Sequence, residues 1–223
     1  RDGAVNAFVS VHGEEALREA AESEKRWRSG VPLGPGDGIP TSIKDIFYTQ
    51  GWPTLRGTRL IDPKRPWTED APCVARLRET GAVLIGKTTT PEFAWKGVTD
   101  SLRHGSTGNP RAPHLTSGGS SGGSAAAVGL GMGPWSVGTD GGGSVRIPAS
   151  FCGLVGVKAT MGRVPLYPGT KDERYPGVSG WESLEHIGPL TRTVADAALV
   201  LSVIAGPDDR DRLSLPAADF DWR

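Results

Sequence analysis

The chain has 223 residues, enough for one domain with a sizeable hydrophobic core. Its 25 Lys and Arg residues balance 25 Asp and Glu residues, so no charge excess points to nucleic acid or an anionic membrane as a partner. No apolar run approaches the roughly 18 residues of a membrane span, and the first residues lack the apolar core of a signal peptide. We therefore expect a cytoplasmic protein.

The first half of the chain alternates between helical and strand patterns. Residues 13–29 are rich in Ala, Glu and Arg and predict a solvent-exposed helix. A short strand is predicted at residues 39–43. Residues 70–80 predict a second helix with Asp70 as its N-cap, and the apolar residues 82–85 predict a buried strand after it.

The same alternation continues in the second half. A helix is predicted from residues 122 to 128 and a strand at 135–138. Residues 193–205 predict an amphipathic helix capped by Thr193. The charged residues 208–223 predict a loop or the beginning of an element that is cut off. Helices that alternate with short buried strands indicate an α/β sandwich around a mixed sheet.

A P-loop expression, G-x-x-x-x-G-K-[ST], occurs at residues 81–88. In a true P-loop the residues between the glycines form a loop after a strand, whereas here residues 82–85 are themselves the predicted strand. Thr90 and Pro91 also interrupt the helix that should follow. We therefore predict no nucleotide site in this segment.

Disulfide and metal sites are not indicated. Cys73 and Cys152 are too few for a disulfide framework, and we expect two buried thiols in a reducing compartment. The histidines lack the spacing of a metal site: His12, His104, His114 and His186.

Glycine is unusually frequent, at 32 residues, and two serine-containing blocks at 116–124 and 138–148 are especially rich in it. Between residues 118 and 153 the only charged residues are Asp140 and Arg146. Glycines beside a serine permit tight turns and let backbone N–H groups approach a substrate, as an oxyanion hole requires. Two flexible Gly/Ser turns are the competing interpretation.

Two candidate mechanisms could activate a serine. Residues 118–122 fit G-x-S-x-G, a nucleophile elbow with Ser120 as nucleophile and His186 as the only histidine late enough to serve it. Residues 109–113, however, are poor strand material for such an elbow. A neutral lysine is the other base, and Lys44 follows an apolar strand rather than lying in a charged helix. An exposed or ion-paired lysine is the ordinary alternative at that position.

Together these motifs resemble the amidase signature family. Residues 39–45 resemble its catalytic lysine motif, 118–124 its Gly-Gly-Ser-Ser-Gly-Gly motif, and 138–148 with 151–158 the rest of the signature. The resemblance covers about residues 5–210. It implies an α/β/α sandwich around a mixed β-sheet, of which this chain would hold a partial core.

The resemblance also implies roles for single residues. Ser144 matches the acylated nucleophile, Ser120 the bridging serine that follows a cis peptide bond, and Lys44 the base. Further positions match the oxyanion segment and the polar residues that support it or touch substrate: Gly141, Gly142, Gly143, Thr139, Ser121 and Arg146. Gly141 stands where many relatives carry Thr or Ile, so we expect a wider pocket beside it. No metal or organic cofactor is implied.

The expected function is hydrolysis of a carboxamide to a carboxylate and ammonia or an amine through an acyl-enzyme on Ser144. The expected partner is a small-molecule amide, without nucleic acid or membrane, and a homodimer is compatible with the resemblance. Two alternatives stay open: an A-type glutaminase subunit of a tRNA-dependent amidotransferase, which needs partner subunits, and an inactive fragment.

Residues 1–223 are expected to form a single amidase domain, as a fragment of a longer amidase chain, because family members continue beyond the point where this chain stops. An apolar or aryl acyl group is the expected substrate feature. Four tryptophans are candidates for the pocket lining, with core packing as the competing explanation: Trp52, Trp67, Trp95 and Trp181.

Overall fold

The computed structural model describes residues 2–168, 184–219 and 221–222. Its strands are β1 (Phe8–Val11), β2 (Pro40–Lys44), β3 (Val83–Thr88), β4 (Asp100–Ser101), β5 (Gly105–Ser106), β6 (Gly108–Asn109), β7 (Ala112–Thr116), β8 (Trp135–Asp140), β9 (Val155–Gly156) and β10 (His186–Thr191). Its helices are α1 (Gly13–Arg28), α2 (Pro72–Glu79), α3 (Gly122–Gly129), α4 (Arg146–Cys152) and α5 (Val194–Ile204).

The main sheet has six strands in the order β1-β3-β2-β8-β10-β9. Strand β2 pairs in parallel with both β3 and β8, whereas the pairs β1–β3, β8–β10 and β10–β9 are antiparallel. Two smaller sheets consist of β4 with β5 and of β6 with β7. The expected mixed sheet is therefore confirmed.

Helices cover both faces of this sheet. On one face, apolar residues of α2 and α5 share a core with side chains of the central strands, among them Ile43 and Ile187. On the other face, α3 and α4 share a smaller cluster with Leu190. Ile187 and Leu190 lie three residues apart on β10, so their side chains point to opposite faces. The α/β/α sandwich is thus confirmed as well.

Helix α3 lies so close to the sheet that only small side chains fit along it. Its residues Gly122 to Val128 are all buried, and they are glycine, serine, alanine and one valine. A Cβ atom placed on Gly123 would lie 2.6 Å from the backbone oxygen of Ala7 and would also collide with Thr89. The close approach places the N-terminus of α3 against the residue before β1 and the residue after β3.

This contact predicts that Gly123→Ala destabilises the protein, although alanine is the better helix former. Because backbone atoms cannot move aside cheaply, we expect the free energy of unfolding to fall by about 1–3 kcal/mol. Urea denaturation followed by circular dichroism measures the change. Gly13→Ala is the matched control, since nothing lies within 4 Å of that position. Equal stability of the two variants would contradict the close packing of α3.

All four predicted helices are confirmed, but one predicted cap is wrong. The side chain of Thr193 accepts a hydrogen bond from Asp196 N at 3.0 Å, as an N-cap does. Helix α2 instead begins after Ala71, without a side-chain cap. Asp70 accepts a hydrogen bond from Gln50 N at 2.6 Å and lies 3.2 Å from Arg78 Nε. Gln50 from another segment and Arg78 from α2 itself thus occupy the carboxylate that was expected to cap the helix.

The strand predicted at residues 82–85 runs further, to Thr88. Lys87 is therefore a buried strand residue, and its Nζ donates a hydrogen bond to Thr54 Oγ1 at 2.8 Å and lies 3.8 Å from Asp45. A lysine used in this way is not available to a phosphate, which supports the prediction of no P-loop. The sequence patterns missed α4 and β10 altogether.

Over the described ranges, no helix combines the length and apolar character needed to cross a membrane. Within the same residues, no group of three or more His, Cys, Asp or Glu side chains is arranged to hold a metal ion. Cys73 and Cys152 are both free and buried, as expected. The described part of residues 208–223 contains no helix or strand, which agrees with the predicted loop.

Candidate active site

The candidate residues meet at one edge of the main sheet. Lys44 is the last residue of β2, and Asp140 is the last residue of the adjacent parallel strand β8. The carboxyl ends of parallel strands commonly form ligand sites in α/β proteins. Ser120 lies just before α3, and the Gly119–Ser120 peptide bond is cis, as the resemblance implied.

A backbone hydrogen bond joins the two serine blocks. Ser121 N donates to Ser144 O at 3.1 Å, which brings the residue after Ser120 against the second block. Ser121 Oγ also donates to Thr139 O at 3.2 Å and lies 3.3 Å from Thr139 N. Ser121 therefore links the first block to the end of β8, and its role in supporting the site stays a prediction.

Lys44 contacts Ser120 directly. Its Nζ lies 2.7 Å from Ser120 Oγ and 2.8 Å from Thr139 Oγ1, and all three side chains are buried. Lys44 does not pair with Asp45, whose carboxylate accepts a hydrogen bond from Leu55 N at 3.1 Å. Lys44 is fully buried and forms no ion pair with any residue that the structure describes, so an exposed or ion-paired Lys44 is not what these residues show.

Burial changes the proton affinity of Lys44. Removal from water disfavours the ammonium form and lowers the pKa of Lys44 to about 7. The negative charges of Glu185 and Asp140 act in the opposite direction and raise the pKa. Near neutral pH, a substantial fraction of Lys44 is thus an uncharged amine that can accept a proton.

A cavity of about 180 Å³ opens beside these groups. Ser120 and Thr139 reach it from the buried side, and the half-buried Ser144 lines it together with Gly141 and Gly142. Ser144 thus lines the cavity that a ligand would enter and is partly exposed, whereas Ser120 and Lys44 are fully buried. Such a gradient of exposure suits a nucleophile with a buried proton relay.

Asp140 organises the loop that carries Ser144. Its carboxylate accepts hydrogen bonds from Gly143 N at 2.8 Å and Val145 N at 3.1 Å, and it forms two 2.9 Å bonds with the Arg146 guanidinium. Burial alone would raise the pKa of the Asp140 carboxyl, but these hydrogen bonds hold it well below its usual range. No role was predicted for Asp140 from the sequence. The sequence feature that could have indicated a role is that Asp140 is one of two charged residues in a Gly-rich stretch.

Only some backbone amides of the expected oxyanion segment are available to a ligand. The Gly143 amide donates to Asp140, so it is engaged away from the cavity. Gly142 and Ser144 line the cavity, and the described residues include no protein acceptor for either amide. Arg146 pairs with Asp140 and is not among the residues that line the cavity, so the contacts seen for it are those of loop support.

The nucleophile-elbow alternative is only partly consistent with the structure. Residues 109–113 were expected to be poor strand material, but β7 begins at Ala112 and ends four residues before Ser120, so this expectation is wrong. That strand, however, pairs only with β6 in a small separate sheet. His186 Nδ1 lies 2.7 Å from Leu184 O, while Ser120 Oγ is in contact with Lys44. The geometry therefore favours lysine over histidine as the base.

The four candidate tryptophans have different locations. Trp95 lines the cavity and is 59% exposed. Trp52 is buried in the main core, where it stacks on His12, and Trp67 packs edge-on against Tyr48. Both therefore have packing roles and do not line the cavity. Trp181 lies outside the described residues.

Known proteins resemble this chain in sequence and in fold. It is 44% identical over 218 residues to the A-type subunit of glutamyl-tRNA(Gln) amidotransferase from Chloroflexus aurantiacus, covering 98% of this chain and 43% of that protein. Its fold matches a bacterial aryl acylamidase of the amidase signature enzymes with a TM-score of 0.86 and 38% identity, covering 97% of this chain and 44% of the other. It also matches the A-type subunit of glutamyl-tRNA(Gln) amidotransferase from Thermotoga maritima, with a TM-score of 0.77 and 34% identity, covering 97% and 43%.

The chain thus spans less than half the length of the curated relatives it matches. A sequence profile of the amidase family, by contrast, matches residues 2–223, which is nearly the whole chain. The matched region contains the cis-linked Ser120, the buried Lys44 and the loop of Ser144. We conclude that this chain belongs to the amidase family, the amidase signature enzymes.

Proposed function

We propose that the protein hydrolyses carboxamides through an acyl-enzyme on Ser144. The observation that carries this proposal is the buried 2.7 Å contact between Lys44 Nζ and Ser120 Oγ, which borders the cavity lined by Ser144. A lysine with a lowered pKa, a serine next to it and a second, accessible serine together supply a base, a proton relay and a nucleophile.

The proposed reaction proceeds in two halves. Neutral Lys44 takes the proton of Ser120, Ser120 takes the proton of Ser144, and Ser144 Oγ attacks the amide carbonyl carbon. The amides of Gly142 and Ser144 stabilise the oxyanion. The tetrahedral intermediate collapses, its C–N bond breaks, and the leaving nitrogen receives the proton returned through the relay. Water then attacks the acyl ester, with the same relay as base, and releases the carboxylate.

The cavity favours an apolar or aryl acyl group as the substrate feature. Its walls include Ile46, Phe93, Trp95 and Ile147, and apolar lining of this kind binds apolar groups by removing them from water. The similarity to a bacterial aryl acylamidase points in the same direction. Gly141 also lines the cavity, and the wider pocket expected from its missing side chain stays a prediction.

A glutaminase component of an amidotransferase is the second candidate function. Its support is the 44% identity to the A-type subunit of a glutamyl-tRNA(Gln) amidotransferase. In that case the ammonia donor would be glutamine and the activity would depend on partner subunits. The activity, substrate and partners of the whole protein are all proposals. We also propose a single amidase domain over residues 1–223 and a homodimer.

Ammonia or amine release by the full chain distinguishes these functions. We would compare kcat/KM for glutamine with kcat/KM for a panel of aliphatic and aryl amides, with and without the candidate partner subunits. Turnover of aryl or aliphatic amides by the isolated chain supports the hydrolase. Activity that is restricted to glutamine and requires partners supports the amidotransferase component. If a well-folded chain shows no turnover at all, both functions are contradicted and an inactive fragment is left.

Glu185 should tune the pH dependence of this activity. Burial is the largest influence on Lys44 and lowers its pKa, whereas the negative charge of Glu185 raises that pKa. Glu185 also lines the same cavity. Glu185→Gln removes the charge, so the pKa of Lys44 should fall and the neutral amine should persist at lower pH. We expect the acidic limb of kcat/KM to move to lower pH.

Exposed Glu79 offers the control for this variant, because Glu79→Gln removes an equal charge elsewhere on the surface. The midpoint of the acidic limb is compared among the wild type and both variants. A midpoint that stays in place or moves to higher pH in Glu185→Gln would show that Glu185 does not act on Lys44.

A further inference from the structure

Lys158 contacts the candidate oxyanion loop from outside the cavity. It lies two residues after β9, and its Nζ donates a 2.7 Å hydrogen bond to the carbonyl oxygen of Gly141. The same Nζ lies 3.6 Å from Asp140 Oδ1, and the Lys158 side chain is only 21% exposed. Burying a lysine side chain is costly, and here the buried side chain reaches a backbone carbonyl of the loop that carries Ser144. A functional role would account for that cost.

The acceptor of Lys158 belongs to the same peptide unit as the amide of Gly142. In a planar trans peptide, the C=O of one residue and the N–H of the next point in opposite directions. Because Lys158 holds the Gly141 carbonyl on the outer side, the Gly142 N–H is directed to the opposite side. Gly141 and Gly142 both line the cavity that contains Ser144.

The orientation of this peptide plane needs a contact from outside the loop to fix it. It joins two glycines, which lack a Cβ atom to restrict backbone rotation, so a flip of the plane meets little steric resistance. A flipped plane would present a carbonyl oxygen to the developing oxyanion, and like partial charges would repel. The next amide cannot compensate, because Gly143 N–H is already bonded to Asp140.

We propose that Lys158 is a positioning residue that fixes and polarises the Gly142 N–H as an oxyanion donor. The inference rests on the proposed amide hydrolysis. A cationic donor on a carbonyl makes a charge-assisted hydrogen bond and strengthens the N–H of the same peptide as a donor. Asp140 already has two hydrogen bonds from the Arg146 side chain, so its charge does not require Lys158.

The test compares Lys158→Met and Lys158→Arg in the full chain. Methionine keeps the length of the side chain without the donor, and arginine restores a cationic donor. For an amide that the wild type hydrolyses, we expect Lys158→Met to lower kcat on the order of 10- to 100-fold with little change in KM, somewhat less than the loss of a whole oxyanion donor. Arginine should recover part of kcat. Exposed Lys64→Met is the control and should match the wild type.

A second measurement separates this role from a purely structural one. A boronic acid with the acyl group of the substrate forms a tetrahedral adduct with a serine oxygen, and calorimetry measures its Kd without turnover. We expect Lys158→Met to weaken boronate binding by about the same factor as kcat, while the melting temperature changes little. Equal boronate affinity, or a loss of kcat that simply follows the unfolded fraction, would overturn the inference.

The outcomes also separate this inference from the proposed function. A wild type that neither hydrolyses any amide nor binds boronate refutes the proposed function and the role of Lys158 with it. A wild type that binds boronate through Ser144, together with an equally active and equally binding Lys158→Met variant, refutes the role of Lys158 alone.

Discussion

Ser144→Ala is expected to abolish acyl-enzyme formation and to lower kcat by about 10⁶-fold, as the loss of the nucleophile does in serine hydrolases of comparable design. The reason is chemical: alanine offers no oxygen to the carbonyl carbon, and neither Ser120 nor Lys44 is as accessible, since both are buried. Turnover of the preferred amide measures kcat. Intact mass after reaction with a slowly deacylating substrate detects the missing acyl group.

Ser150→Ala is the matched control for Ser144. Ser150 is exposed on α4, six residues further along the chain, and it should behave as the wild type in both measurements. An acylated Ser144→Ala protein, with the acyl group located on Ser120, would move the nucleophile to the first serine block and refute the proposed order of the relay.

Lys44→Ala is expected to lower kcat/KM on the order of 10²- to 10⁴-fold, the usual contribution of a general base. Only the neutral amine can accept a proton, and burial lowers the pKa of Lys44 to about 7. Wild-type activity should therefore be lost as pH falls through about 7 and should level off above it. In Lys44→Ala, the residual activity should lack this acidic limb because no titrating base remains.

Lys44→Met accompanies the alanine variant because it fills most of the buried volume and protects the fold. Exposed Lys64→Ala controls for the general loss of a lysine. Melting temperatures are recorded for all three variants. If Lys44→Met folds well and keeps an acidic limb with the wild-type midpoint, Lys44 is not the titrating base, and its role is only to fill space beside Ser120 and Thr139.

The candidate catalytic residues were predictable because each lies in a local pattern. A serine surrounded by glycines requires no tertiary information to be recognised, and Ser120 and Ser144 stand in two such blocks. Lys44 was predicted from its place after an apolar strand. The helices with clear periodicity or end signals, such as α1 and α5, were predicted for the same reason.

Contacts between distant segments could not be predicted in this way. Asp70 resembles a helix cap by position, but its carboxylate accepts a hydrogen bond from the distant Gln50 N instead. The short helix α4 has no long periodic pattern and contains a proline, so its sequence is a weak signal on its own. Strand β10 was missed although it pairs with β8 over its whole length, because pairing partners are not visible in a single segment.

The sequence by itself therefore determined which groups are candidates for the chemistry of the site: a lysine, two serines and a glycine-rich backbone. Only the tertiary structure decided what these groups can do. Burial behind the cavity lowers the pKa of Lys44, and long-range contacts with Asp140 and Lys158 select which loop amides remain available. The physical reason is that residue type and local spacing are properties of a segment, whereas desolvation and hydrogen-bond partners arise only when distant segments pack together.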